Sequence, residues 1–143
     1  MDQKPSDENS CKRVSGLKRI WSAAGNSLSG LSAAFRHEAA FRQVLVLAGI
    51  LLLVAIVLPA TPTQTALLIL AIVLVLLMEL ANSAIEAVVD HTSTEHHPLA
   101  KRAKDVGSAA VLVALVNCLV IWVLVLVDIF LREALMARQR RVA

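Results

Sequence analysis

Apolar and polar positions follow several different rhythms along this chain. Met1 to about Ser15 is polar, mixed in charge and without periodicity, which predicts a disordered tail. It lacks the short apolar core and cleavage site of a signal peptide. From Leu17 to Phe35, residues Leu17, Ile20, Trp21, Ala24, Leu28, Leu31 and Phe35 recur at three- and four-residue steps. Lys18, Ser22, Asn26 and Ser29 fall mainly on the other side. This spacing predicts an amphipathic helix over about 17–35, and Trp21 with its basic neighbours suits a membrane surface. A helix packed on a soluble domain would show the same spacing, but no soluble domain remains in the chain to receive it.

Three long apolar stretches follow, at about 39–58, 64–89 and 106–131. Each is near the roughly 20 residues that cross a bilayer as helix. Helical spans also satisfy their own backbone polar groups, which lipid requires. Pro59-Ala60-Thr61-Pro62 reads as a tight turn making the first two spans antiparallel neighbours. His91 to Lys104 is polar, with Pro98 as a breaker, and reads as the second connection. Beyond Ser108, only Asn117 and Asp128 interrupt the third stretch. The predicted fold is an all-α integral membrane protein of three transmembrane helices and an N-terminal surface helix. One membrane domain, 16–131, lies between the polar tail 1–15 and a basic tail 132–143.

Composition sharpens this picture. The chain is 57% hydrophobic with 3% aromatics, too apolar for an ordinary soluble domain of its size. Of its fourteen Lys and Arg, seven precede residue 43, three lie in 101–104 and four follow residue 131. Without an aromatic-rich soluble surface, the basic N-terminal part reads as facing acidic lipid, with no nucleic-acid partner. The bias towards Lys and Arg near the span ends places the N-terminus and the His91–Lys104 connection in the cytosol, and Pro59–Thr63 outside. Three crossings then carry Arg132, Arg138, Arg140 and Arg141 outside, against the same bias. Cys11 and Cys118 stand in unlike surroundings, so neither a disulfide nor a metal cluster is expected.

The candidate chemistry starts where the second apolar stretch acquires acids without any Gly or Pro. At about 100° per residue, Glu79, Asn82, Ser83, Glu86 and Asp90 keep to one stripe. Carboxylates in or near hydrocarbon are costly and face a polar interior, a partner or a functional path. Glu38 precedes the first span and Lys104-Asp105 opens the third, so these groups converge at one membrane face. Paired acids suit Mg²⁺, which takes one or two carboxylates plus phosphate oxygens and water. A nearby Lys supplies a point charge for phosphate. Glu79 lies one to two turns deeper, where the polar end of an acyl lipid reaches it, as a general base must. Together these parts suit phosphoryl transfer from a metal-bound nucleotide to a hydroxyl at the membrane surface. The bland readings are solvated caps for Glu38 and Asp90, membrane anchors for Lys101, Arg102 and Lys104, and helix-association contacts for Asn82 and Ser83. Gly25–Gly30 has a phosphate-loop spacing, but Leu31-Ser32 stands where Lys-Ser or Lys-Thr is required. His37-Glu38 begins a zinc-protease signature that fails at Phe41.

The stretches Glu79–Asp90, Ala100–Ala110 and Glu38–Gln43 resemble the prokaryotic diacylglycerol kinase family, and the likeness runs from about Leu17 to Phe130. The resemblance implies a homotrimer in a bacterial inner membrane, its active sites formed between subunits at the cytosolic face and using Mg·ATP. It implies that Glu79 takes the proton from the lipid hydroxyl with Asn82 beside it, and that Glu38 and Glu86 hold Mg²⁺. Nucleotide contacts fall to Arg19, Asn26, Glu38, Glu86, Glu95, His96, His97, Lys104 and Asp105. Lipid contacts fall to Arg19, Ala24, Arg42, Gln43, Glu79 and Ser108. Departures from the family pattern are Val44 after Gln43, Asn26 at an aromatic position and Ser22 at a basic one. The implied reaction is ATP-dependent phosphorylation of diacylglycerol to phosphatidic acid. An undecaprenol kinase is the near alternative, and a non-enzymatic trimeric ion path is the alternative from another class.

Overall fold

The computed structural model describes residues 16–92 and 97–142. They form four helices: α1 (Gly16–His37), α2 (Ala39–Val57), α3 (Pro62–Thr92) and α4 (Pro98–Val142). Two compact units part at Ala33 and Ala34. In the first, Ser27 and Ser29 on α1 return their hydroxyls to the carbonyls of Ala23 and Gly25, both at 3.0 Å, so neither serine competes with the helix. Ile20 and Trp21 are exposed.

In the second unit, α3 packs against both α2 and α4. The three helices are each long and apolar enough to cross a membrane. Their shared core is Ala48 and Ala55 from α2, Leu68, Ala71, Ile72 and Val75 from α3, and Ala114, Cys118, Trp122, Val125 and Ile129 from α4. Small residues recur at these contacts because helices in lipid associate by close packing, without a hydrophobic force between them. Leu68, Ile72 and Val75 mark the packed seam of α3, and their 4- and 3-residue steps are the ordinary spacing of one helix face.

Two boundaries differ from the sequence pattern. Pro98 starts α4 instead of ending a segment, because a proline at the first helical position loses no bond and has its φ preset. His97 precedes it and accepts a hydrogen bond from the Leu99 N–H at its Nδ1, 3.2 Å away. At the other end, α4 runs through the basic residues as far as Val142. Ala, Leu, Met, Arg and Gln are all good helix formers, and charge alone does not stop a helix.

The α2–α3 turn is fixed by a reciprocal cap. Thr61 Oγ1 accepts from the Gln64 N–H at 3.3 Å, and Gln64 Oε1 accepts from the Thr61 N–H at 2.9 Å, with Pro62 at the first helical position. Gln64 Nε2 also donates to Asp128 Oδ2 on α4 at 2.6 Å, and Arg132 Nη2 reaches the same oxygen at 2.8 Å. This polar clamp joins α3 to α4 at the turn end. Gln64→Leu removes the side-chain half of the cap and the bond to Asp128 and is expected to cost about 2 kcal/mol in reversible unfolding from detergent. Thr63→Leu, at an exposed neighbour, is the control expected to change little.

Candidate functional site

The seam of α3 does not end where its apolar residues end. Continuing from Leu68, Ile72 and Val75 in steps of four and three, it passes through Glu79, Asn82, Glu86 and Asp90. Glu79 is only 5% exposed and is the one buried charged residue among those described. Glu86, two turns along the same helix, and Glu38, just before α2, lie near enough for their charges to act on it. Asn82 Nδ2 donates to Glu86 Oε1 at 3.0 Å, one turn along the helix. That bond orients the Glu86 side chain.

Glu38 sits between α1 and α2 with extended backbone, φ −105° and ψ 114°. It occupies the position before α2 and is half-buried, and its carboxylate makes no capping bond. Arg42 turns back and donates from Nη1 to the carbonyls of Phe35 at 3.0 Å and Arg36 at 3.2 Å. It thereby caps the last turn of α1, where cations meet unpaired carbonyls.

Lys104 Nζ pairs with Asp90 Oδ1 at 2.5 Å, tying α4 to the end of α3. Lys104 precedes the apolar stretch of α4, and its hydrogen bond to Asp90 holds the ammonium protonated beyond the usual lysine range. A raised lysine keeps this pairing throughout the physiological range and loses it only as pH climbs through the folded-state value. Asp105 and Ser108 are exposed beside it, as is Gln43 on α2.

Arg19, Ala24 and Asn26 are exposed on α1 in the first unit. Glu95 and His96 lie outside the described residues, and His97 caps α4. Among the described residues, no three His, Cys, Asp or Glu side chains gather round one point. Glu38 and Glu86 nevertheless offer hard oxygen donors, and one or two carboxylates are the usual protein share of a Mg²⁺ shell that phosphate oxygens and water complete. Below the acids, Val44, Ala48, Ile72, Val75, Cys118 and Trp122 line an apolar cleft of about 340 Å³.

Gly107 lies inside the Ala100–Ala110 stretch, and the sequence pattern assigns it no role. A Cβ there would strike the side-chain oxygen of Asn82, so glycine is what lets α4 approach α3 at this level. The available signal was an isolated Gly inside a helical pattern, which implies a packing reason.

A profile described as prokaryotic diacylglycerol kinase matches residues 25–126. The chain belongs to the prokaryotic diacylglycerol kinase family. A diacylglycerol kinase of Pseudomonas aeruginosa is 52% identical over 115 residues, covering 80% of this chain and 94% of that protein. The Escherichia coli K12 diacylglycerol kinase is 46% identical over 113 residues, covering 79% and 93%. One from Helicobacter pylori is 42% identical over 120 residues, covering 84% and 94%. The diacylglycerol kinase match includes Glu38, Glu79, Asn82, Glu86, Asp90, Lys104 and Gly107, and leaves out Arg19, Ala24 and the end of α4.

Gly107→Ala is expected to cost about 1–3 kcal/mol in unfolding from detergent, the ordinary range for overpacking a close contact. Gly49→Ala, where the space is open, should be neutral or slightly stabilising through helix propensity.

Proposed function

We propose that this chain is an ATP-dependent lipid kinase that phosphorylates diacylglycerol to phosphatidic acid at the membrane surface. The observation that carries the reading is a buried glutamate, Glu79, on a transmembrane helix beside two further carboxylates, Glu38 and Glu86. The names of the related proteins supply the substrate class.

Glu79 accepts the proton of the lipid hydroxyl as that oxygen attacks the terminal phosphorus of ATP, the bond from that phosphorus to the β-phosphate oxygen breaks, and ADP leaves. Asn82 orients the neighbouring Glu86. Glu38 and Glu86 would hold Mg²⁺, which supplies neutralisation of phosphate charge when bound. Lys104 and Asp105 bind the nucleotide with Arg19, Asn26 and the Glu95–His97 connection. Lys104 suits this role because its pairing with Asp90 holds it at the end of α3 and favours its charged form. Arg42, Gln43, Ser108 and Ala24 border the lipid headgroup, and the apolar cleft below Glu79 is suited to an acyl chain. Little covalent chemistry is required, since phosphoryl transfer rests on positioning and charge stabilisation.

The working unit in this proposal is a homotrimer in the bacterial inner membrane, N-terminus in the cytosol. Asn117 supports assembly: it is exposed in the middle of an apolar stretch, and a polar side chain at that depth finds its partner on another helix. The Lys and Arg of the N-terminal part and of 101–104 support the orientation, and the four arginines after residue 131 oppose it.

The test is Mg²⁺-dependent transfer from labelled ATP by bilayer-embedded protein, with diacylglycerol and undecaprenol offered separately. Phosphatidic acid is expected from the wild type, and Glu79→Gln should lower kcat by about 10²–10⁴-fold with the assembly intact. Unchanged transfer in Glu79→Gln would remove Glu79 as the base, and product from undecaprenol alone would change the substrate. Lys104→Met should mainly raise KM for ATP. In the wild type, the rate profile between neutral and mildly alkaline pH should show no step from Lys104, which stays charged there.

A further inference from the structure

The end of the bundle opposite Glu79 carries a basic surface that the kinase reading leaves without a role. After the apolar stretch closes at Leu131, α4 continues through Arg132, Arg138, Arg140 and Arg141. Arg132, Arg140 and Arg141 face a cavity of about 670 Å³ whose other walls include Pro59 from the α2–α3 turn, Ile129 and Met136. Three guanidiniums meet one lining carboxylate there, that of Glu133. Asp128 is already engaged by Gln64 and Arg132. The clamp therefore holds Arg132 in place from α3 through α4, and an arginine so held still has other N–H donors to offer.

We propose that this cavity binds the headgroup of an anionic phospholipid. Guanidiniums recognise phosphate through paired N–H donors, and an apolar wall of Ile129 and Met136 suits the glycerol and the first acyl carbons. Position selects the source of the phosphate. The cavity stands where the apolar surface of α4 gives out, with exposed Phe130, Leu131 and Leu135 beside it. A bilayer places its headgroups at that level, and basic side chains flanking a transmembrane helix attract anionic lipid there. The matched family segment ends at residue 126, so the arginines of this surface lie beyond it. The inference needs the membrane-spanning reading but not the kinase reading, and its test does not use activity.

The full-length protein in neutral detergent would be titrated with phosphatidylglycerol or with phosphatidylcholine of the same chains, and bound lipid counted by native mass spectrometry. The expected result is preferential retention of phosphatidylglycerol. Joint substitution R132Q/R140Q/R141Q should weaken it by roughly a hundredfold, from about fivefold per arginine. R140Q alone, at an exposed site near the helix end, tests the same contact by about fivefold if the triple variant fails to fold. R138Q, outside the cavity lining, should leave the preference intact. Equal retention of both lipids, unchanged binding in the cavity variants, or an equal loss in R138Q would overturn the proposal. Displacement by excess inorganic phosphate would overturn it too, because the site would then be one for free anions.

Discussion

One helical seam on α3 carries both the packing of the bundle and its acids. Leu68, Ile72 and Val75 use it to meet the neighbouring helices, and Glu79, Asn82 and Glu86 occupy its next turns. Because the helix has no break between Val75 and Asp90, rotating it to hide the carboxylates would also expose the core. The polar groups are therefore held inside the bundle by the same geometry that holds the apolar ones. A carboxylate in that position needs surroundings that tolerate charge, which restricts what the facing turns of α2 and α4 can carry.

Both ends of α3 are then tied to α4 by polar contacts. Asp90 meets Lys104 at one end, and Gln64 meets Asp128 at the other. Between them the contact includes small residues, Ala71, Ala114 and Gly107, that let the two backbones come close. Such a pair resists sliding, since a shift of one turn would break both end contacts and drive backbone into side chain. The acids thus stand on a rigid element, which places them more reliably than a loop would.

The spans and the acidic stripe were legible because burial and chemistry share one period on α3. The apolar run fixes the phase, and Glu79 falls on it by simple spacing. The rest depends on information that spacing does not contain. Pro98 has two opposite meanings, helix breaker and first helical residue, and only the fold chooses between them. The Gln64–Asp128 contact joins residues 64 positions apart. That Glu38 makes no capping bond depends on the backbone angles at the α1–α2 junction. The length of α4 was hidden because a basic tail reads the same as coil or as helix when its residues are good helix formers.

Asn82 shows what this arrangement costs. Its side-chain oxygen is buried and finds no partner among the described residues, a loss of about 1–3 kcal/mol by the usual measure. The amide cannot turn to relieve this, because its nitrogen is committed to Glu86 and Gly107 closes the space in front of its oxygen. A leucine would fill the same seam position without that cost, and would leave the Glu86 carboxylate to choose its own rotamer. Stability favours leucine here, and a fixed carboxylate favours asparagine. Groups held at a local cost concentrate where function needs them, and this one lies one turn from Glu79.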